Sequence, residues 1–129
     1  MARILIVDDE ASIRMLFRCV FEEAGYEVLE AEDGKKALAL LETVVPDSML
    51  LDVAMPEMTG PELAVQLRRL AARRPELRKI PYVVMTGENY IARGAEFGFE
   101  SDTSFGGYMP KMTPPEEILA KLQSMMEAR

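Results

Sequence analysis

Two groups of acidic residues in this sequence each follow a short run of aliphatic residues. Near the N-terminus, Ile4-Leu5-Ile6-Val7 leads directly into Asp8-Asp9-Glu10, and near the middle Met49-Leu50-Leu51 leads into Asp52. Each pattern predicts a buried β-strand that ends on an acid at the rim of a sheet. Carboxylates that meet at such a rim could bind a cation or act as a nucleophile.

A hydroxyl and an ammonium group follow two further predicted strands. Thr86 comes directly after the aliphatic segment 80–85, and Lys111 comes directly after Phe105–Pro110. If the strands are parallel, their carboxyl ends lie at one edge of the sheet, so these side chains join the acids there. A hydroxyl donor and a cation suit a ligand with several anionic oxygens, which is a phosphoryl group.

The acids of the two groups need a positive charge between them. Two carboxylates about 4 Å apart repel each other by roughly 4 kcal/mol at an effective dielectric constant near 20. The sequence contains no His and one Cys, so the ligand atoms available at this edge are oxygens. Oxygen ligands select a hard divalent cation, and the sequence therefore predicts Mg²⁺.

Strands and helices alternate along the chain, and this order predicts an α/β fold. The predicted strands are residues 3–8, 26–31, 47–52, 80–85 and 105–110. Apolar residues recur every three or four positions between them and predict helices over 12–24, 36–44 and 61–74, with Gly25 as a helix stop and Asp33-Gly34 as a turn. We expect a five-stranded parallel sheet in the order 2-1-3-4-5 with helices on both faces.

The segment 88–107 is the least regular part of this predicted fold. Gly94 and Gly98 interrupt it, and Gly inside a helix costs about 1 kcal/mol relative to Ala. We expect a fourth helix that is short or irregular, near residues 90–97, followed by a mobile loop. After the fifth strand, Thr113 is predicted to cap a final helix together with Glu116.

Composition limits the classes of function. The chain has 129 residues and a net charge of −7, whereas nucleic-acid binding requires a basic surface, so we expect no direct DNA binding. No apolar run is long enough to span a membrane, and one Cys suits a reducing compartment. We therefore expect a cytoplasmic protein without membrane insertion.

Basic residues surround the predicted end of the third helix. A solvated helix end, where cations complement the helix dipole, is the favoured interpretation, and an anion or nucleotide site is the alternative. The residues of this basic cluster are Arg68, Arg69, Arg73, Arg74, Arg78 and Lys79.

Four motifs together resemble the receiver domain of two-component response regulators. They are Ile6-Val7-Asp8-Asp9-Glu10, Leu51-Asp52-Val53-Ala54-Met55-Pro56 with Gly60, Met85-Thr86-Gly87, and Tyr108-Met109-Pro110-Lys111. The resemblance covers almost the whole chain. It implies a flavodoxin-like receiver fold over residues 1–129, and we expect no output domain.

The resemblance implies how the acids act. Asp52 accepts a phosphoryl group as an acyl phosphate. Asp9, Asp52 and the backbone carbonyl of Ala54 bind Mg²⁺, and Asp8 acts through water. In chemical terms Asp52 is the nucleophile, because it ends the central strand beside the metal.

The resemblance also assigns roles at the fourth and fifth strands. Thr86 hydrogen-bonds the phosphoryl oxygens, Lys111 pairs with them, and Tyr108 is the aromatic residue that swings inward when Thr86 moves. A half-buried core tyrosine is the alternative for Tyr108. The family usually has Pro directly after this lysine, in a cis peptide, but here Pro110 precedes Lys111 and Met112 follows it. A cis bond before a residue other than Pro costs about 2.5–4 kcal/mol, so we predict a trans bond or a visibly strained one.

The implied partners are a sensor histidine kinase or phosphotransfer protein upstream and a protein target downstream. The chain would then be a self-phosphorylating signalling domain, a monomer or weak dimer, and not an enzyme that turns over a substrate. Two alternatives remain: a receiver-like constitutive interaction module that phosphorylation does not control, and an Mg²⁺-dependent phosphohydrolase. The phosphohydrolase is disfavoured because no second acid lies two residues after Asp52 and no His could release the product.

Overall fold

The computed structural model describes residues 2–52, 60–86, 99 and 102–128. Its five strands form one parallel sheet in the order β2-β1-β3-β4-β5. The α/β fold and the strand order are therefore as predicted. The strands are β1 (Arg3–Val7), β2 (Glu27–Ala31), β3 (Ser48–Asp52), β4 (Tyr82–Thr86) and β5 (Phe105–Pro110).

Four α-helices and one 3₁₀ helix accompany the sheet in the described part of the chain. They are α1 (Ala11–Glu23), α2 (Gly34–Leu41), α3 (Gly60–Arg73), the 3₁₀ helix Pro75–Lys79 and the C-terminal helix Pro115–Ala128. The predicted short helix near residues 90–97 lies outside the described residues. Among the helices that are described, none is long and apolar enough to cross a membrane.

The core has two layers, one on each face of the sheet. On one face, Leu51 and Val84 pack with buried residues of α2 and α3 such as Leu41 and Leu63. On the other face, strand residues pack with α1 and the C-terminal helix, and the buried helix residues there include Phe17, Phe21, Ile118 and Leu122. Every residue of β3 and β4 is buried, so both strands are covered on both faces as parallel strands require.

Most boundaries differ from the sequence prediction by one or two residues, and α2 ends at Leu41 instead of residue 44. Three of the differences show how local hydrogen bonds begin or end an element. Asp33 was predicted to lie in a turn, but its carboxylate accepts from the Lys36 N–H at 2.8 Å and caps α2, which begins at Gly34. The segment 75–79 forms a 3₁₀ helix that was not predicted, so β4 starts at Tyr82 instead of residue 80. The carbonyl of Pro114, one residue after the predicted cap Thr113, accepts the first hydrogen bond of the C-terminal helix.

β5 contains one more residue than β4 over the same length of pairing. Tyr82 lies opposite Phe105, yet Val84 lies opposite Tyr108, so the register shifts by one residue between them. Gly107 lies at this bulge with φ of +120°, a conformation that favours glycine. As a consequence Pro110, the last residue of β5, lies opposite Thr86, the last residue of β4. The next residue, Lys111, therefore lies at the edge where both strands end.

Candidate functional site

The carboxyl edge of the sheet brings together side chains from four strand ends. Asp52 is the last residue of β3 and Thr86 the last residue of β4, and both are fully buried. Asp8 follows β1 and is also buried. Lys111 follows β5, and its Nζ lies 3.3 Å from Asp52 Oδ2. Four residues predicted from separate motifs are therefore neighbours in space because parallel strands end at the same edge.

Lys111 reaches Asp52 although its flanking residues differ from the family pattern. No cis peptide occurs among the described residues, so the Lys111–Met112 bond is trans, which is the first of the two predicted forms. The Lys111 N–H donates to the Thr86 carbonyl at 3.0 Å and joins the ends of β4 and β5. Pro110 is accommodated because β5 is an edge strand.

Three acids gather at the N-terminus of α1. One carboxylate oxygen from each of Asp8, Asp9 and Glu10 lies within 4.8 Å of the other two, with Asp8 buried and the other two exposed. Glu10 was not among the predicted metal ligands, although its position next to Asp8-Asp9 was a signal. Asp52 is not one of the three, and the predicted carbonyl ligand of Ala54 lies outside the described residues.

Burial and repulsion make Asp8 hard to ionise. Loss of solvent is the main cause, and the charge of Asp52 adds to it, so the pKa of Asp8 rises to about 6 even though the Glu10 N–H donates to its carboxylate at 2.9 Å. For Lys111, partial burial alone would lower the pKa. The carboxylates of Asp52, Asp8 and Glu10 outweigh burial and raise the pKa of Lys111 above its usual value. The ammonium at this edge is thus held in its charged form.

The hydroxyl of Thr86 is buried at the same edge. Within the described residues, Thr86 Oγ1 has no hydrogen-bond partner, and the same is true of Ser48 Oγ at the opposite end of β3. A buried hydroxyl without a partner is unfavourable unless a ligand or water supplies one. Thr86 Oγ1 therefore has unused hydrogen-bonding capacity at the edge of the sheet where Asp52 ends β3 and Lys111 follows β5.

Tyr108 lies in the core layer that contains α2 and α3. It is half-buried, packs against that layer, and its ring lies 4.8 Å from the ring of Phe105 in a T-shaped contact. It occupies β5 opposite Val84. This position agrees with the alternative interpretation that Tyr108 is a half-buried core tyrosine. The inward swing of Tyr108 when Thr86 moves stays a prediction.

Two arginines of the basic cluster at the end of α3 form hydrogen bonds with neighbouring residues. Arg73 Nη2 donates to Glu42 Oε1 at 2.9 Å, and Arg74 donates to the Glu42 backbone carbonyl. Arg74 Nε also donates to Glu76 at 3.0 Å. These two arginines connect the ends of α2 and α3, which agrees with a helix-end role for them.

Comparison with known proteins gives a single family. The family model of the response regulator receiver domain matches residues 4–123. The phosphate regulon transcriptional regulatory protein PhoB of Pseudomonas aeruginosa is 39% identical over 127 residues, which cover 95% of this chain and 51% of PhoB. The chain thus spans about half the length of the curated relatives it matches.

Solved structures give the same result. The chemotaxis response regulator CheY4 of Vibrio cholerae is 32% identical, with a TM-score of 0.81 over 97% of this chain and 98% of that chain. The response regulator TrrA of Thermotoga maritima, solved in complex with Mg²⁺-BeF, is 29% identical, with a TM-score of 0.73 over 97% of this chain and 99% of that chain.

Proposed function

This chain belongs to the response regulator receiver domain family, and we propose that it accepts a phosphoryl group on Asp52 and signals through changed contacts with other proteins. One observation carries the proposal. Asp52 is fully buried at the end of the central strand, and the Lys111 ammonium lies 3.3 Å from its Oδ2. A buried carboxylate with a fixed cation at the shared edge of the sheet is suited to attack a phosphorus atom and to hold the product.

The residues present can carry out the transfer. A carboxylate oxygen of Asp52 forms the new bond to phosphorus, and the bond from phosphorus to the leaving group of the donor breaks. A carboxylate nucleophile needs no general base to remove a proton. Lys111 then pairs with the oxygens of the phosphoryl group, and the Thr86 hydroxyl donates to one of them.

The acids at this edge fit a divalent cation. Asp8, Asp9 and Glu10 offer carboxylate oxygens that lie close together, and among the described residues no histidine or cysteine joins this group. Burial and repulsion from Asp52 raise the pKa of Asp8, because both disfavour its ionised form. The attraction of a bound cation would offset these two effects. We propose that Asp8, Asp9 and Asp52 hold Mg²⁺, which when bound neutralises charge on the transferred group.

A relative of known structure supports this choice of ligand. TrrA, which has the same fold, was solved in complex with Mg²⁺-BeF. We propose a sensor histidine kinase or phosphotransfer protein in the cytoplasm as the donor and a protein as the downstream target. Added charge on Asp52 would draw Thr86 and Lys111 toward the phosphoryl oxygens and alter the surface around β4 and β5.

Intact mass spectrometry tests the acceptor. The protein is incubated with Mg²⁺ and acetyl phosphate, and the expected result is a gain of one phosphoryl group that disappears in Asp52→Asn and without Mg²⁺. Asp47→Asn is the matched control, since Asp47 directly precedes the same strand at its opposite end, where its carboxylate accepts from the Arg3 N–H at 2.7 Å. That variant should be phosphorylated like the wild type.

Two results would contradict the proposal. A phosphoryl group that persists in Asp52→Asn would assign the acceptor to another residue. Absence of any phosphorylation in the wild type, together with absence of Mg²⁺ binding, would instead favour the constitutive interaction module.

A further inference from the structure

An arginine of α1 reaches the acidic segment that precedes the helix. Arg14 Nη1 donates to the backbone carbonyl of Asp8 at 2.6 Å. Arg14 Nε donates to Glu30 Oε1 on β2 at 3.0 Å. Two nitrogens of one planar guanidinium are used, so Arg14 bridges the acidic segment and the neighbouring strand in a fixed geometry.

Asp8 is held by three contacts, and they differ in kind. Its N–H donates to the Ala31 carbonyl at 3.1 Å, and its carboxylate accepts from the Glu10 N–H at 2.9 Å. Its carbonyl accepts from Arg14. In the first two contacts the partner of Asp8 is a backbone group, whereas in the third it is a side chain. The Arg14 contact is therefore the one that a substitution can remove without changing Asp8 itself.

The charge of Arg14 is balanced where it approaches the acids. Glu30 pairs with both Arg14 and Arg18, and Arg18 donates as well to the Val28 carbonyl at 3.1 Å. The side chains of Arg14 and Glu30 are only 15% and 26% exposed, so solvent screens this pair incompletely. An unpaired guanidinium here would oppose a divalent cation at Asp8 and Asp9, and Glu30 reduces that opposition.

We propose that Arg14, oriented by Glu30, is a positioning residue for the Mg²⁺ site. By holding the Asp8 carbonyl it fixes the start of the acidic segment, and this places the carboxylates of Asp8 and Asp9 for one cation. The inference rests on the proposed function for the identity of the cation. Its test measures cation binding and not phosphoryl transfer, so the two can fail separately.

Two arginine variants separate positioning from charge. Arg14→Met and Arg18→Met each remove one positive charge and one partner of Glu30, but of the two residues only Arg14 contacts the acidic segment. If charge alone mattered, both variants would bind Mg²⁺ more tightly. If Arg14 positions the ligands, Arg14→Met binds Mg²⁺ more weakly, on the order of tenfold, as is typical when a residue that orients a metal ligand is lost.

Isothermal titration calorimetry with MgCl₂ measures this difference, and thermal unfolding of both variants checks that each is folded. Weaker Mg²⁺ binding in Arg14→Met than in both the wild type and Arg18→Met supports the proposal. Equal Kd values, tighter binding in Arg14→Met, or no Mg²⁺ binding by the wild type overturns it. If Arg14→Met does not fold, Arg14→Lys replaces it, since one amine cannot span Glu30 and the Asp8 carbonyl as the guanidinium does. An unchanged Kd in Arg14→Lys would then overturn the proposal.

The outcomes also distinguish this inference from the proposed function. A wild type that binds Mg²⁺ but takes no phosphoryl group from acetyl phosphate contradicts the acceptor role of Asp52 and leaves the comparison of arginine variants valid. A wild type that is phosphorylated, with unchanged Mg²⁺ affinity in Arg14→Met, contradicts the positioning role alone.

Discussion

Asp8 and Asp52 lie at the same buried edge of the sheet, and this environment makes the carboxyl group of Asp8 harder to ionise. Burial, with the charge of Asp52 in addition, raises the pKa of Asp8 from 3.8 to about 6. Because the pKa is higher in the folded than in the unfolded chain, the folded state binds more protons between these two values. The free energy of unfolding is therefore expected to fall as pH rises from about 4 to about 6 in the absence of Mg²⁺.

Asp8→Asn tests this linkage. The variant should unfold at higher urea concentration than the wild type at pH 7, with a gain of at most about 3 kcal/mol, and should lose the fall in stability between about pH 4 and pH 6. Urea unfolding across this pH range without Mg²⁺ measures both effects. Asp9→Asn is the control, since Asp9 is exposed and its charge is the smallest of the causes that shift the pKa of Asp8, so most of the pH dependence should remain. A profile in Asp8→Asn that matches the wild type would contradict the prediction.

Thr86 supplies a second prediction, based on its buried hydroxyl. Removing a buried hydroxyl that has no partner, while keeping the shape of the side chain, should be neutral or stabilising by about 1 kcal/mol. Thr86→Val should thus raise stability slightly in the unphosphorylated protein but weaken the conformational response to phosphorylation. Hydrogen exchange after treatment with acetyl phosphate measures the response, and thermal unfolding measures stability.

Ser48→Ala is the matched control for Thr86→Val. Ser48 Oγ is also buried without a partner among the described residues, but it lies at the other end of β3. Its loss should have a similar effect on stability and none on the response. An equal loss of response in both variants would assign the effect to packing instead of to the Thr86 hydroxyl.

Within the elements, the bulge in β5 determines where Lys111 emerges. Gly107 adopts φ of +120° and a Cβ there would meet no atom within 4 Å, so the backbone conformation, and not a clash, requires glycine. Gly107→Ala is expected to cost about 1–2 kcal/mol. It should also slow phosphorylation, because a bulge that relaxes changes the register of β5 and moves Lys111 away from Asp52.

Gly25 provides the control for this backbone effect. It follows α1 with φ of +95°, and a Cβ there would also meet no atom within 4 Å. Gly25→Ala should cost a similar free energy of unfolding and leave the rate of phosphorylation unchanged. Chemical denaturation and the rate of mass gain with acetyl phosphate measure the two quantities. Equal phosphorylation rates in both variants would show that the bulge does not govern Lys111.

At the scale of the whole molecule, the site lies between the inner strands of the sheet and the edge strand β5. β1, β3 and β4 are inner strands, whereas β5 is an edge strand whose residues are only partly buried or, at Pro110, exposed. The Lys111 N–H to Thr86 carbonyl bond joins the ends of β4 and β5. Phosphorylation of Asp52, which draws Lys111 and Thr86 inward, should therefore affect β5 more than β2, the strand at the opposite edge of the sheet.

Hydrogen exchange across the whole chain tests this asymmetry. With Mg²⁺ present throughout, acetyl phosphate should change exchange in peptides that contain the ends of β4 and β5 and leave it constant in peptides from β2. Asp52→Asn should show no change in either. A response of equal size in β2, or one that persists in Asp52→Asn, would contradict a switch that starts at the acceptor.

Much of the fold followed from local patterns. Aliphatic runs predicted the strands, because a buried parallel strand must be apolar on both faces. Their order was predicted from the order that is common in open parallel sheets of this size. The same runs ended on Asp8, Asp52, Thr86 and Lys111, so the candidate site was predicted as well. The 3₁₀ helix Pro75–Lys79 and the Asp33 cap were missed, since each depends on a few hydrogen bonds that leave little trace in hydrophobic periodicity.

Other features depended on contacts between residues distant in the sequence. Arg14 reads in the sequence as one more polar residue of α1, yet its guanidinium meets Glu30 and the Asp8 carbonyl. The bulge at Gly107 could not be read from two adjacent glycines, because it exists only relative to the pairing of β5 with β4. Residue types and strand ends thus specified which groups meet at the edge, because the carboxyl ends of parallel strands lie at the same edge of a sheet. The distances, the shifted pKa of Asp8 and the partners of Arg14 arose from packing, because they depend on neighbours that the chain acquires only when it folds.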